Sequence, residues 1–573
     1  MARDKPRVIV IGLDGATFKN IKPWMEQGFL PNLKFLVDNG VSGELESTLP
    51  RNSAPAWSSF MTGVNPGKHG IFGFAKPFRD KNYKREVVSA RDIKAKTIFE
   101  ILSDNQKKSI IINLPMTYPP FKLNGCMISC GLLTPSTDFN FTYPNDLFNM
   151  IEKKKEEYIL DVHPKSYSDE EKEKLFADLI QCAVTRKEIS FQLMSIIDWD
   201  LCMVVFTGTD RLQHFYWHCI DSEHPKYNPI EAQKLLPLII RYFQKLDSII
   251  GEYMNHLDEN TSLLIMSDHG FGPLNKYISL HNILKKNNLL YYKASHDNSA
   301  HKKGPIHYRI RGWLHDNVFL YRKAKEIINN IYPSPNKKLS SQHKLEDDLK
   351  IRLVGRDQIW QKIDWQRTIA YFGPSENTIY LNLKGREPEG IVEQNDEYIK
   401  RKEQIINIIN NLHDVENKKK LKVKFYEKER IYTGPQSSGA PDLIFEIEDN
   451  KYVLAARTDV SEIFVNENEK SGSHTQDGLL ICYGNNFKNA YHLKDARIID
   501  CTPTILYLLK NKISEYIDGK VLTCIFKEEF IKNNPIDFVK ISQDRQECSS
   551  NGYTYSEEDE EMLKKRLTDL GYL

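Results

Sequence analysis

Excess charge of one sign is almost missing from this 573-residue sequence: 79 Lys and Arg stand against 77 Asp and Glu, a formal net charge of +2. That balance argues against a protein that coats nucleic acid over its whole surface, although a local basic patch is compatible with it. Long apolar runs are missing too, and no stretch approaches the about 18 consecutive apolar residues of a spanning helix. The run Val8–Leu13 is too short for the apolar part of a secretory signal and leads into Asp14–Gly15 with no small-residue cleavage site. The nine cysteines form no paired CxxC motifs, and the nearest two, Cys126 and Cys130, stand four apart. A reducing cytoplasm is the expected setting, with thiols as small apolar fillers. Internal repeats and low-complexity tracts are absent, which excludes a fibre. The 40% hydrophobic and 11% aromatic content excludes a disordered chain. At about 150 residues per domain the length allows three or four domains, or fewer large ones.

Four Val/Ile-rich runs read as strands buried on both faces: Arg7–Leu13, Lys108–Leu114, Leu201–Phe206 and Ser262–Met266. Helical patterns lie between them. Pro31–Asn39 ends at Gly40, Ser168–Glu171 has capping-box spacing before a long helix, and Pro229–Leu257 is amphipathic. Strands alternating with helices predict an α/β fold with a mostly parallel sheet covered on both sides. Strand-like runs return at Thr368–Phe372, Thr378–Leu383, Leu443–Ile447 and Leu479–Tyr483. Thr502–Pro503 reads as a helix start, and Ser556–Leu570 as a helix whose acids precede its bases. Ahead of Thr368, residues 301–338 carry nine Lys and Arg against two acids, with aromatics interleaved.

The chemistry gathers at strand ends, where open α/β sheets place their ligands. Asp14 follows the first strand, Asp210 the third, and Asp268–His269 the fourth. Asp210 and His214 are four apart and share a helix face, a spacing able to chelate a cation. His218 continues the series but reads as a packing histidine. His474 lies in the Gly/Ser-rich loop SGSHTQDG and could complete a site from far along the chain. Mixed imidazole and carboxylate ligands suit Zn²⁺, Mn²⁺ or Fe. Six such residues exceed the needs of one catalytic zinc and suit two metals, which clamp both oxygens of an in-line phosphoryl displacement. In PRNSAPAWSSFMTG, Pro55 suits a first helical turn and Gly63 a C-terminal stop, placing Ser53 at a helix N-terminus. Such a serine is either a cap or a nucleophile favoured by the positive helix end.

The ordered set LDG, TLPRNSAPAWSSFMTGVNPGKHGI, TDRLQH, SDHG and GSH resembles the alkaline phosphatase superfamily. It is most similar to the type I phosphodiesterase/nucleotide pyrophosphatase branch, in its cytoplasmic phosphohydrolase/phosphomutase group. The resemblance covers roughly 7–290 and 355–527. It implies one metal on Asp210, His214 and His474 and a second on Asp14, Asp268 and His269, with Zn²⁺ first and Mn²⁺ or Fe as alternatives. It implies that Ser53 is the nucleophile, contacts the second metal and forms a phosphoserine. An Asn that the branch carries three residues after the nucleophile is Ala56 here, so Asn52, Arg51, Arg211 or main-chain amides are the expected phosphate contacts. Lys68–His69 matches a family motif and reads as structural.

The expectation is therefore an alkaline-phosphatase-like α/β sandwich in four parts: 1–290 and 355–527 forming the catalytic unit, 291–354 an inserted basic, aromatic cap, and 528–573 a helical tail. The expected activity is hydrolysis of phosphodiester or pyrophosphate bonds in a small phosphate ester or nucleotide. Phosphomonoesterase or phosphomutase chemistry on the same two-metal site is the alternative. A sulfatase is disfavoured because Ser53-Ala54-Pro55-Ala56 is followed by Trp57 rather than Arg. A nucleic-acid-binding role for 301–338 is a further alternative.

Overall fold

The computed structural model describes residues 5–78, 81–135, 140–152, 157–162, 169–293, 359–373, 375–414, 416, 418–457, 460–466, 469–540, 555–570 and 572. The stretch 301–338, on which the cap and nucleic-acid expectations rest, lies outside them.

Seven strands are named here: β1 (Arg7–Leu13), β2 (Val41–Glu46), β3 (Ser109–Leu114), β4 (Gly125–Ser129), β5 (Thr142–Tyr143), β6 (Leu201–Phe206) and β7 (Thr261–Met266). With Asp477–Tyr483 and Tyr491–Arg497 they form a nine-stranded sheet. Its order is Tyr491–Arg497, β2, Asp477–Tyr483, β7, β1, β6, β3, β4, β5. The pairs β7–β1, β1–β6, β6–β3 and β3–β4 are parallel, whereas Asp477–Tyr483 runs antiparallel to β2 and β7. Every residue of β1, β3, β6 and β7 is buried, which is why these runs are continuously apolar rather than alternating. Each fully buried Val, Leu or Ile in them contributes about 1.5–3 kcal/mol relative to exposure.

The helices also follow their sequence signals. Pro31–Asn39 forms, although Gly40 after it is extended (φ −123°) rather than left-handed. Pro229–Met254 carries its cap on Asn228, and Ser556 caps Glu557–Asp569. The helix expected to start at Thr502 begins at Cys501, and the Thr502 hydroxyl instead donates to the Phe60 carbonyl of the neighbouring helix.

The strand-like runs after residue 355 behave differently from expectation. Among the described residues only Asp477–Tyr483 and Tyr491–Arg497 return to the main sheet. Ala370–Phe372, Thr378–Leu381, Val423–Glu427, Leu443–Ile447, Tyr452–Ala455 and Phe464–Val465 join Lys276–Ser279 in a second, seven-stranded sheet. It has its own apolar core, with Ile278, Leu381, Phe445 and Leu454 all buried. Lys276–Ser279 lies only a few residues beyond β7, so the second sheet is rooted beside the carboxyl ends of the first.

Candidate metal centre and nucleophile

Parallel strands deliver the acids to one edge. Asp14 leaves the end of β1, its N–H donating to the Phe206 carbonyl at the end of neighbouring β6 (3.1 Å). The chain turns at Gly15 with φ +67°, and the Gly15 N–H donates to Asp268 Oδ1 (3.1 Å). A Cβ on Gly15 would stand 2.9 Å from the Phe271 ring, so this close approach requires glycine. Asp210 occupies the first turn of the helix Gly208–Ile220, which starts directly after β6. Its Oδ2 lies 3.4 Å from Nε2 of His214, one turn on. His474 arrives on a two-stranded ribbon: Gly472–Thr475 pairs antiparallel with Gly270–Pro273, placing His474 opposite Phe271. Its ring stacks on His269 with centroids 3.7 Å apart.

The three imidazoles share one orientation. Nδ1 of His214 faces the Gly472 carbonyl (3.2 Å), Nδ1 of His269 the Gly270 carbonyl (3.1 Å), and Nδ1 of His474 the Arg51 carbonyl (3.0 Å). A carbonyl only accepts, so each Nδ1 carries the proton and each Nε2 keeps its lone pair. These Nε2 atoms point at carboxylates: His474 to Asp210 Oδ2 at 3.3 Å, and His269 to Asp268 Oδ2 at 3.3 Å and Asp14 Oδ1 at 3.7 Å. Asp14 Oδ1, Asp210 Oδ2 and Asp268 Oδ2 are buried without a hydrogen-bond donor. Lone pairs and anionic oxygens converging without donors are what a cation requires, and the carbonyl-anchored imidazoles match the usual outer support of metal-binding histidines. The residues thus fit the expected divalent metals.

The electrostatics agree. Burial pushes His214 and His269 down to about 4 and also lowers His474, so all three are neutral ligands at ordinary pH. Burial would raise Asp210, but the Arg211 guanidinium on its Oδ1 helps hold this carboxylate well below its usual range. Burial raises Asp268 to about 6, and burial with the Asp268 and Asp210 charges raises Asp14 well above its usual range. Carboxylates crowded in this way lack only positive charge.

Two ligand groups stand out: Asp210, His214 and His474, and Asp14, Asp210 and His269, with ligand atoms of each group within 4.8 Å of one another. Asp210 belongs to both. Asp268 lies beside the second group through its free Oδ2.

Ser53 opens the buried helix Ser53–Thr62, which stops at Gly63 in the left-handed region (φ 67°). The cap is Asn52, whose Oδ1 accepts from the Ala54 N–H (3.2 Å). The Ser53 hydroxyl is therefore spared from capping and lies 3.3 Å from Nε2 of His269. Trp57, one turn on, turns its indole N–H toward Asp14 Oδ2 (3.4 Å).

The remaining sequence-singled residues are placed as follows. Asn52 and Arg51 line a narrow pocket of about 30 Å³ leading to His214 and His474, with Ser375–Asn377 of the second sheet forming another wall. The Arg51 guanidinium is tied to Glu446 and Gln476. Arg211 is buried and binds Asp210 Oδ1 (2.9 Å) and Asp161 Oδ2 (3.2 Å), so it braces a ligand. Ala56 is buried in the helix. His218 bonds Ser471 Oγ (2.9 Å) and stays out of the cluster. His69 bonds Ser59 Oγ (2.9 Å) and Lys68 pairs with Asp518, both holding loops together. Sequence reasoning missed Tyr572, which lines the same pocket. It also missed Asp161 and the Ser375–Asn377 wall. None of the three lies in a motif, and each reaches the site only through folding.

The sheet and this strand-end cluster define an α/β enzyme of phosphate-ester hydrolysis. The model of the type I phosphodiesterase/nucleotide pyrophosphatase family matches residues 8–477, and the chain belongs to that family. No curated protein matched. Among solved structures, human ectonucleotide pyrophosphatase/phosphodiesterase 5 is similar at 11% identity and TM-score 0.46, over 92% of this chain and 99% of that one. The murine counterpart, an inactive form in complex with AMP, is similar at 11% identity and TM-score 0.45, over 89% of this chain and 96% of that one. Phosphonoacetate hydrolase from Sinorhizobium meliloti is similar at 15% identity and TM-score 0.46, over 88% and 95%. Among the described residues no helix is long and apolar enough to cross a membrane.

Proposed function

We propose that the chain hydrolyses phosphodiester or pyrophosphate bonds with Ser53 as nucleophile and two divalent metals, Zn²⁺ in first place. The observation that carries this reading is the convergence of three donor-free carboxylate oxygens and three imidazole Nε2 atoms, with the Ser53 hydroxyl beside Nε2 of His269. Asp210, His214 and His474 would hold one ion, and Asp14, Asp268 and His269 the other, with Asp210 in reach of both and Ser53 beside the second. Bound there, the ions supply positive charge that favours the serine alkoxide and neutralises the phosphoryl oxygens. Ser53 Oγ gives up its proton and forms a bond to phosphorus as the bond to the leaving alkoxide or phosphate breaks, that group departing with the proton and the rest of the substrate staying on Ser53 as a phosphoryl ester. Water then splits the Ser53–phosphorus bond, restores the serine hydroxyl and releases the remaining phosphate monoester. The positive end of the helix Ser53–Thr62 faces the same phosphoryl group.

The preference for a diester rests on charge. A monoester dianion calls for cationic help beyond two metals. Among the described residues lining the pocket, Arg51 is the cationic one, and Glu446 already neutralises it. Arg211 is likewise committed to Asp210 and Asp161. A small phosphate ester or nucleotide of low charge is therefore the favoured substrate. Elemental analysis together with turnover of bis-p-nitrophenyl phosphate tests the reading. Near two equivalents of Zn, Mn or Fe and metal-dependent turnover are expected. Metal-independent turnover, or protein that binds at most one ion after soaking, overturns it.

A further inference from the structure

The cluster leaves one buried group without an assigned task, the phenol of Tyr572. The helix Glu557–Asp569 docks across the main domain: Leu563 and Leu567 are buried, Glu560 accepts from the Val87 N–H (3.1 Å), and Arg566 donates to the Thr134 carbonyl (2.7 Å). Beyond it the chain bends back, with the Tyr572 N–H on the Leu567 carbonyl (2.7 Å). The Tyr572 ring, 3% exposed, packs 4.8 Å from Phe74 and lies 6.1 and 5.9 Å from the rings of His214 and His474. Its O–H donates to Asp210 Oδ1 (3.0 Å). Arg211 donates to the same oxygen.

The two oxygens of Asp210 thus have separate surroundings. Oδ1 receives two donors, while Oδ2 receives none and sits 3.4 and 3.3 Å from Nε2 of His214 and His474. A carboxylate turns easily about its terminal torsion, which has a broad, roughly two-fold profile. One donor leaves that freedom partly open, more so because Arg211 also reaches toward Asp161. A second donor from a different direction fixes the plane. We propose that Tyr572 is a positioning residue of the metal centre, its phenol O–H fixing the Asp210 carboxylate so that Oδ2 is presented between His214 and His474. The inference rests on reading the cluster as a metal centre.

Zn²⁺ titration of the full chain against a chromogenic chelator tests it, with wild type, Tyr572→Phe and Tyr572→Ala side by side. Tyr572→Phe keeps the ring contact with Phe74 and removes only the donor. Loss of such an outer-shell partner typically weakens metal binding about 10- to 100-fold. We expect that loss in at least one equivalent for both variants, and turnover of Tyr572→Phe that recovers as Zn²⁺ is raised. If Phe restores wild-type affinity where Ala does not, the ring acts by packing alone and the inference fails. Failure of both variants to fold assigns the residue to stability and also overturns it. If wild type itself binds no Zn²⁺, the proposed function falls instead, so the two failures are distinguishable.

Discussion

His214 and His474, 260 residues apart in sequence, bring their Nε2 atoms to 2.9 Å from each other. Both rings spend their Nδ1 protons on backbone carbonyls, so two lone pairs face each other across that gap. Neutral nitrogens in that arrangement repel unless a cation lies between them and Asp210. Mutating either ring therefore separates metal loss from unfolding.

His474→Ala is expected to weaken one metal selectively, because it belongs to one ligand group. Asp210→Asn is expected to weaken both, because its carboxylate is shared and an amide is a poorer cation ligand. Metal titration of the two variants decides this. Equal loss of both ions in His474→Ala would contradict two separable sites.

Ser53→Ala should leave the helix intact, since Asn52 is the cap. Turnover should fall by several orders of magnitude. Mass spectrometry of wild type rapidly quenched with bis-p-nitrophenyl phosphate should find the p-nitrophenyl phosphoryl group on the Ser53 peptide and none in the variant. A rate within tenfold of wild type would remove Ser53 from the chemistry.

Asn52→Ala tests the complementary role. Loss of an N-cap costs about 1 kcal/mol of stability. Chemical denaturation should show that loss with turnover reduced far less than in Ser53→Ala. An unchanged midpoint with a raised KM would instead make Asn52 a phosphate contact.

Diester preference is read from kcat/KM for bis-p-nitrophenyl phosphate against p-nitrophenyl phosphate at matched pH and metal. The diester should be favoured. A monoester preference of tenfold or more would require Arg51 to leave Glu446 and bind phosphate, and Arg51→Gln would then depress the monoester rate selectively.

Acid sensitivity should come in part from His69. It is wholly buried, accepts from the Ile71 N–H and bonds Ser59, and burial lowers it to about 3 from an ordinary 6.5. The unfolded chain therefore binds a proton that the folded chain refuses between these values. Stability is full above pH 6.5 and declines as pH falls toward 3, with a slope of up to about 1.4 kcal/mol per pH unit from this group. His69→Gln should flatten the decline measured by denaturation between pH 6.5 and 5. Identical slopes would shift the effect to other groups.

Much of the site is legible in sequence because its acids stand directly after β1, β6 and β7, whose buried faces demand unbroken apolar runs. The helical spacing of Asp210 and His214 is equally local. His474 is visible only as an odd histidine in a Gly/Ser loop, since the ladder opposite Phe271 that aims it is a non-local pairing. The second sheet was hidden for a similar reason. Lys276–Ser279 pairs with the distant Tyr452–Ala455. That Asn52 rather than Ser53 caps the helix was also ambiguous, because both residue types are good caps. Tyr572 had no signal at all, as its partner Asp210 is 362 residues away.

The placement of Asp477–Tyr483 has a consequence for biosynthesis. This late segment sits between β2 and β7, third from one edge of the sheet, although both neighbours are made long before it. A ribosome that has passed residue 266 has already emitted β1, β6 and β7, but β7 keeps one bare edge until more than two hundred further residues have emerged. An uncovered apolar edge of that kind invites pairing with other chains. The same segment that closes the edge follows directly on His474, so the chain acquires its full set of ligands at about the moment its sheet becomes safe.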